Sequence, residues 1–299
     1  MTDSSASPLT SRTISSEGLT LAVWEGPDNG PPVVFVHGFP DTHVVWEPVI
    51  ERLADRFHCI AYDVRGAGAS DQPMARADYF SVHLVTDLVA VLDGFSPDAP
   101  VHVVGHDWGS VQAWDAVLSE PSDSRLSARI ASFTSISGPC LDSVRAVARS
   151  SWAASWEHRR RALRQAARSW YVYAFQVPVL PEVILRRLSQ RMLASLPDGS
   201  DHFAATLPAD AAHGVNLYRA NLRSRPRFPT GPRTSLPVQV IIALRDKFVT
   251  PYLARSANRF AADLTVVEID AGHWVPYTHP DEVARRIDDF VTQVESRPS

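Results

Sequence analysis

The chain has little of what would direct it into a membrane or an oxidising compartment. None of its apolar runs approaches the 18 residues or so that a membrane-spanning helix needs. The first 17 residues are rich in Ser and Thr and lack the apolar centre of a secretory signal. Cys59 and Cys140 are the only cysteines, too few for a disulfide framework. These absences predict a cytoplasmic protein.

A strong charge imbalance is also missing. The 29 basic and 33 acidic side chains give a net charge of −4, which gives no reason to expect nucleic acid or an anionic membrane as a partner. An arginine-rich run at 159–164 is the local exception. We interpret it as the solvated face of a helix, with contact to anionic lipid or a carboxylated substrate as the alternative.

Six short apolar runs predict the strands of a sheet. Each is followed by glycine or a polar residue, and segments with helical spacing lie between them; the runs are 33–36, 59–62, 101–104, 133–136, 238–243 and 264–269. Runs that are apolar throughout suit strands covered on both faces, as in parallel sheets. The pattern predicts an α/β, doubly wound sheet, with its site beyond the carboxyl ends of the strands, where His37, Asp107 and Asp246 lie.

The middle of the chain has no such strand signals. From residue 141 to 227, helical stretches rich in Arg and Ala are punctuated by prolines. We therefore predict a core in two parts, 1–140 and 228–299, interrupted by a helical cap at 141–227. Pro226, Pro229 and Pro232 mark the return to the core.

The most informative segment is a predicted strand followed by Gly105-His106-Asp107-Trp108-Gly109. This Gly-x-nucleophile-x-Gly pattern is the nucleophile elbow of α/β-hydrolases, with aspartate where most members have serine. A carboxylate is already ionised at neutral pH. It can displace a leaving group at saturated carbon and form an ester with the enzyme, as in epoxide hydrolases and dehalogenases. The alternative is a plain N-cap for the helix that follows.

Hydrolysis of such an ester needs a histidine oriented by a carboxylate. His273 follows the last predicted strand and Asp246 the strand before it, in the expected order after the nucleophile. Asp263 and Asp270 are rival acids, and we prefer Asp246 because it ends a strong apolar run.

The motif His37-Gly38-Phe39-Pro40 follows the first strong strand. The backbone N–H of Phe39, together with that of Trp108 after the nucleophile, can form an oxyanion hole. A simple Gly-Pro turn is the alternative interpretation of this motif. The chain predicts no cofactor, and ligation of a metal by His102 and His106 is disfavoured because they do not share a helix face.

Taken together, these residues resemble the epoxide hydrolase branch of the α/β-hydrolase fold. The matching segments are 37–40, 65–70, 105–109, Asp246 and 272–274. The resemblance implies a cis peptide between Phe39 and Pro40 and hydrolysis of a small hydrophobic epoxide by water. We also expect four residues near these motifs to contact the substrate: His37, Pro40, His106 and Trp274.

In this family, two tyrosines of the cap hold the epoxide oxygen. Tyr171 precedes a Phe-Gln-x-Pro segment and takes the first role, with Tyr173 as the competing candidate. Tyr218 takes the second, in an Asn-x-Tyr-Arg pattern where Leu217 replaces the usual Trp. A phenol can donate a proton to the alkoxide that forms as an epoxide opens. Ordinary packing of both tyrosines in a helical lid is the alternative.

Two rival functions remain open at this point. Haloalkane dehalogenases share the Asp-Trp pair but usually have Asn or Glu at the position of Phe39, and fluoroacetate dehalogenases typically have Arg at the position of Trp108. A non-catalytic, ligand-binding member of the fold is the second rival. The chain also resembles the hydrolase half of actinobacterial fusions with a short-chain dehydrogenase, and it allows a homodimer without predicting one.

Overall fold

The computed structural model describes residues 9–144, 155–194, 201–222 and 233–297. Eight strands form one sheet in the order β1-β2-β4-β3-β5-β6-β7-β8. Their bounds are β1 Thr10–Ser16, β2 Leu19–Glu25, β3 Pro32–Val36, β4 His58–Tyr62, β5 Val101–His106, β6 Ile130–Ile136, β7 Thr234–Ala243 and β8 Ala261–Ile269. The neighbours from β4 to β8 in this order are parallel, whereas β1 and β2 form an antiparallel hairpin. The predicted mostly parallel sheet is confirmed; the hairpin was not predicted.

Helices cover both faces of the sheet and explain the apolar strands. The core helices are α1 Glu47–Leu53, α2 Ser81–Phe95, α3 Trp108–Ser119, α8 Pro251–Ala254, α9 Val275–Thr278 and α10 Pro280–Glu295. On one face, α2 and α3 pack a cluster that includes Leu88 and Trp114 against the strands. On the other, α1 and α10 contribute Ile50 and Ile287. Every side chain of β4 and β5 is consequently buried.

Four helices form the described part of the cap: α4 Trp156–Arg168, α5 Trp170–Ala174, α6 Leu180–Ala194 and α7 Leu207–Asn221. The helix α7 lies directly on the core, because Leu217 and Tyr218 pack against Trp108 and Val111. Asn221 fastens its end by donating from Nδ2 to the Tyr79 carbonyl over 2.8 Å. The carboxyl ends of the central strands therefore lie beneath α7.

Some sequence predictions concern residues outside this description. The second core boundary at 227–228 and Pro226, Pro229 and Pro232 lie outside the described residues. Cys59 and Cys140 are both buried and are not joined in a disulfide. Within the described ranges, no helix has the length and apolar character needed to cross a bilayer.

Candidate active site

Asp107 stands at a strained turn between β5 and α3. Its backbone has φ 49° and ψ −121°, a conformation that side-chain-bearing residues avoid. A Cβ at Gly109 would lie 2.0 Å from the Val36 carbonyl oxygen, so only glycine permits α3 to start this close to β3. Asp107 occupies the N-cap position, but its side chain makes no capping hydrogen bond. The turn presents the carboxylate instead of using it to cap α3.

Each oxygen of the Asp107 carboxylate has a different neighbour. The backbone N–H of Phe39 donates to Oδ1 over 2.8 Å. Oδ2 lies 3.6 Å from His273 Nε2. The loop that provides this N–H contains a cis peptide between Phe39 and Pro40, as the resemblance implied. One oxygen is thus held by the backbone, while the other faces the histidine.

His273 is held from behind by Asp246. The ring Nδ1–H donates to Asp246 Oδ2 over 3.0 Å, and both side chains are almost fully buried. Asp246 Oδ1 accepts backbone N–H groups from Phe248 at 2.7 Å and Val249 at 3.0 Å. With all these donors, the acid has a fixed orientation and directs His273 Nε2 toward Asp107.

The two rival acids lie elsewhere. Asp263 pairs with Arg297 near the end of α10, and Asp270 pairs with Arg245 over 3.1 Å. Both carboxyl groups are exposed to solvent. The structure therefore brings only Asp246 of the three candidates to the histidine.

The charges around His273 determine its protonation. Burial alone would lower the pKa of His273, but the neighbouring carboxylates of Asp246 and Asp107 raise it to about 10. Burial opposes ionisation of Asp246 as well, yet the interaction with His273 keeps the pKa of Asp246 below its usual range. At neutral pH His273 is consequently an imidazolium, with Asp246 on one side and Asp107 on the other.

The two predicted cap tyrosines meet above Asp107. The ring centroids of Tyr171 and Tyr218 are 5.8 Å apart, and their hydroxyl groups are hydrogen-bonding neighbours. Tyr218 also stacks edge-on against Trp108 at 4.9 Å, and the Trp108 side chain is a hydrogen-bonding neighbour of its hydroxyl. The competing candidate, Tyr173, is 72% exposed on the outside of the cap. Tyr171, not Tyr173, faces the pocket.

Burial keeps both tyrosine hydroxyls protonated. Burial raises the pKa of Tyr171, and the charge of Asp107 raises it further. Burial raises the pKa of Tyr218 well above its usual value, helped by Tyr171 and Asp107. Both groups are therefore hydrogen-bond donors throughout the neutral range. The aromatic rings of Phe39, Phe175 and Phe248 complete an apolar enclosure around them.

His37 lies in the interior, and its ring nitrogens bond to backbone. We expect it to contact substrate, but the ring is completely buried and both nitrogens are engaged by backbone. Nδ1 donates to the Gly38 carbonyl over 2.9 Å, and Nε2 accepts from the Val64 N–H over 2.9 Å. His37 braces the loop that presents Phe39. Pro40 is buried below the cap and lines a small cavity with Phe39 and Leu217.

His106 and Trp274, which we also expect to contact substrate, likewise bond to the protein. His106 is completely buried, and its Nε2–H donates to the His273 carbonyl over 2.9 Å. The Trp274 indole N–H donates to Asp41 over 3.1 Å. Burial lowers the pKa of His106, and the charge of His273 lowers it further. Both rings support the segment of His273 from below.

Asp41 and His202 form a buried pair beside Trp274 that the sequence did not predict. Asp41 is fully buried and accepts from His202 Nε2 over 2.9 Å. Burial alone would raise the pKa of Asp41, but its bond to His202 and the nearby His106 and His37 hold it below the usual range. The only local signal was that Asp41 directly follows His37-Gly38-Phe39-Pro40. Its partner lies 161 positions away in the cap.

A second unpredicted contact joins the cap to the acid loop. Gln165 in α4 donates from Nε2 to the Phe248 carbonyl over 2.7 Å and accepts from the Thr250 N–H over 2.9 Å. Arg168 donates to the Asp246 carbonyl over 2.8 Å. These bonds tie α4 to the turn that holds Asp246. Among the described residues, no cluster of His, Cys, Asp and Glu is suited to hold a metal ion.

The fold and the site define a hydrolase class with an acidic side chain at the strand–helix turn. Comparison with known proteins gives the family. A family model described as the alpha/beta hydrolase fold matches residues 31–280. The chain belongs to the α/β-hydrolase fold family.

Individual relatives add detail. A Mycobacterium tuberculosis protein named probable oxidoreductase EphD is 38% identical over 296 residues, which cover 95% of this chain and 49% of that relative. The chain thus spans about half the length of that relative. Epoxide hydrolase A of the same organism is 28% identical over 334 residues, covering 96% of this chain and 99% of its own.

Solved structures agree with this assignment. A structure from a study of novel epoxide hydrolases in metagenomes from hot environments matches with a TM-score of 0.77 and 26% identity. The match covers 94% of this chain and 98% of that one. The similarity therefore includes the cap as well as the sheet.

Proposed function

We propose that the protein hydrolyses an epoxide to a vicinal diol through an ester on Asp107. The observation that supports this most directly is the arrangement around one carboxylate. Its Oδ1 is held by the Phe39 N–H, its Oδ2 faces His273, and two protonated tyrosines lie above it. Relatives that bear the name epoxide hydrolase over nearly the whole chain add support.

In the first half-reaction, Asp107 Oδ2 forms a bond to one ring carbon of the epoxide. The C–O bond of that carbon breaks, and its electron pair stays on the ring oxygen. A proton from Tyr171 or Tyr218 transfers to this oxygen as its charge develops. Attack also removes the charge of Asp107, one of the causes of the raised tyrosine pKa values, so the hydroxyls become stronger acids when a proton is needed.

Ester formation changes the state of His273. The Asp107 carboxylate contributes to its raised pKa, and this contribution is lost once Asp107 is esterified. The imidazolium therefore becomes more acidic, and its proton restores the tyrosine hydroxyl. The same covalent step that traps the substrate thus prepares the neutral histidine required for hydrolysis.

In the second half-reaction, neutral His273 removes a proton from water, whose oxygen adds to the carbonyl carbon of the ester. The oxyanion forms at Oδ1, where the Phe39 N–H already donates, and the N–H of Trp108 at the start of α3 completes the hole. Collapse expels the diol oxygen, which takes the proton from His273. The remaining proton of the Asp107 acid then returns the histidine to its charged state.

The lining predicts a hydrophobic substrate. The walls around Asp107 are aromatic, with Phe39, Trp108, Phe175 and Phe248 beside the two tyrosines. Such rings contribute apolar contact area and leave the hydroxyls as the principal donors to an oxygen atom. An epoxide attached to an aryl or alkyl group fits this lining, because its ring oxygen can accept from the hydroxyls while its apolar part packs against the aromatic rings.

A single turnover in oxygen-18 water tests the mechanism. With enzyme in excess, the diol should contain no label because its new oxygen comes from Asp107 Oδ2. Mass spectrometry of the Asp107 peptide should show one heavy oxygen. Label in the first diol and an unlabelled Asp107 peptide would mean direct attack by water and refute the ester.

A halide substrate panel separates the proposal from a dehalogenase. Halide departs without a proton, so Tyr218→Phe should leave halide release nearly unchanged but slow epoxide opening. The indole of Trp108, which a halide would need, already neighbours the Tyr218 hydroxyl. Halide release faster than epoxide opening in the wild type would overturn the assignment.

A further inference from the structure

The outward side of the cap differs from the rest of the molecule in charge and polarity. Residues 155–194 contain eight arginines and two glutamates, a net charge of +6, whereas the whole chain has −4. Among the described residues, 15 large hydrophobic side chains are exposed, and eleven of them lie between Trp156 and Met192. We call the exposed side chains of 156–192 the outer cap surface. Exposed apolar area on this scale marks an interaction site.

The helix α4 shows the unusual character of this surface. Only one of its 13 residues, Gln165, is buried. Trp156, 73% exposed, and Leu163, 60% exposed, are seven residues apart and share a face with Arg160. Helices of this length normally depend on a buried apolar face for their stability. In α4 the apolar side chains instead point away from the protein.

The next helix relates this surface to the pocket. Tyr171 in α5 and Phe175, which directly follows this helix, pack inward with the cluster around Tyr218. Trp170 and Tyr173 are exposed and lie on the opposite face of the same helix. The outer cap surface is therefore separated from the proposed substrate pocket by one helix, about 10 Å across.

The helix α6 extends the pattern over four turns. Its exposed apolar side chains recur at intervals of four and form one row: Leu180, Ile184, Leu188 and Met192. Arg187 and Arg191, also exposed, stand in the adjacent row. The row that faces the protein contains Pro181, Leu185, Ser189 and Leu193, of which Ser189 is polar. A helix with more apolar side chains outside than inside indicates a partner for the outer side.

We propose that the outer cap surface docks on an anionic phospholipid bilayer. Arginines interleaved with Trp and aliphatic side chains are the composition of segments that lie in the headgroup region. Each arginine is attracted to anionic headgroups, and Trp and Tyr favour the interface between water and hydrocarbon. A second copy of the same surface is disfavoured because two faces of charge +6 repel each other. This proposal is independent of the proposed reaction.

Sedimentation of the full chain with vesicles tests the proposal. The protein should sediment with vesicles of phosphatidylcholine and phosphatidylglycerol in equal parts, much less with phosphatidylcholine alone, and less as salt is raised. Arg160→Gln/Arg164→Gln should weaken binding about 25-fold, since each arginine near such a surface contributes about fivefold. Trp156→Ser/Leu163→Ser should weaken it at least about tenfold.

Matched controls distinguish binding by the outer cap surface from nonspecific adsorption to vesicles. Arg12→Gln/Val82→Ser changes an exposed arginine and an exposed apolar side chain outside the cap and should bind like the wild type. All variants should keep the wild-type circular dichroism spectrum. Equal sedimentation of the cap variants and the wild type would refute the proposal. So would a wild-type dimer in sedimentation velocity that Trp156→Ser/Leu163→Ser abolishes, with no vesicle binding by either protein.

Discussion

The carboxyl edge of the sheet and the cap contribute to the same site by different physical means. Asp107, Asp246 and His273 are held by backbone donors and by each other, with no freedom to turn. The cap places Tyr171 and Tyr218 through aromatic packing. The helix α4 is attached through hydrogen bonds of Gln165 and Arg168 and through His158 and Arg161, which lie against Tyr252. Under the proposed function, the rigid edge would therefore perform the covalent chemistry, and the cap would select the oxygen and the organic group that are held.

The largest effect should come from the rigid edge. His273→Gln should reduce steady-state turnover about 10³-fold, since a general base typically contributes 10²- to 10⁴-fold. Attack by Asp107 does not require a neutral histidine, so the ester should accumulate. Intact-protein mass spectrometry after mixing with substrate should show one substrate mass added to the enzyme. Slow turnover by His273→Gln without this adduct would contradict the proposal that Asp107 attacks the substrate and His273 acts only in hydrolysis of the ester.

A cap tyrosine should matter less than the base. Tyr218→Phe should lower kcat/KM for an epoxide about 10- to 100-fold, because Tyr171 still donates to the ring oxygen. Tyr173→Phe is the matched control, since its hydroxyl lies on the outside of the cap, and it should retain wild-type kinetics. Equal losses in the two variants would show that the inward direction of Tyr218 is irrelevant.

The charged triad also predicts how stability depends on pH. The pKa of His273 is about 10 in the folded protein, above the value of about 6.5 in an unfolded chain. Its stabilisation is complete below the unfolded value and is lost as pH rises through about 10. Urea unfolding from pH 7 to 10 should show a decline that is shallower in Asp246→Asn. If the free energy of unfolding declined equally with pH in the wild type and in Asp246→Asn, the interaction of His273 with Asp246 would not be the cause of the decline.

The smallest effect should come from the attachment of α4. Gln165→Ala removes two hydrogen bonds to the loop after Asp246, each worth about 1 kcal/mol. We expect Tm to fall by a few degrees and kcat to change less than about threefold. Gln176→Ala, which removes one weaker bond within the cap, is the control. A loss of kcat as large as that of Tyr218→Phe would show that the cap also positions the acid.

The sequence predicted the rigid edge well because its signals are local. Each buried strand is a short apolar run. Asp107 directly follows β5, Asp246 lies three residues after β7 and His273 four residues after β8. The hairpin of β1 and β2 was missed because β1 is a polar, mostly exposed edge strand without the apolar run used to recognise the others. The pairing of β1 depends on β2, and no residue within β1 indicates that pairing.

Contacts between segments distant in sequence could not be predicted from local patterns. The interaction of Asp41 with His202 and that of Gln165 with Thr250 join segments 161 and 85 residues apart. His37, His106 and Trp274 occupy motif positions, yet their ring nitrogens bond to the protein. Proximity to a motif does not tell whether a side chain faces the pocket or the layer beneath it.

The hydrogen bond from the Phe39 N–H to Oδ1 distinguishes the two oxygens of Asp107 in the proposed reaction. Under the proposed mechanism, Oδ2 leaves with each diol and is replaced by an atom from water. Oδ1 stays, because the same N–H that receives the oxyanion also restrains the carboxylate from turning over. Under this mechanism, Asp107 would therefore have one oxygen that is consumed and renewed in every cycle and one that is retained from cycle to cycle.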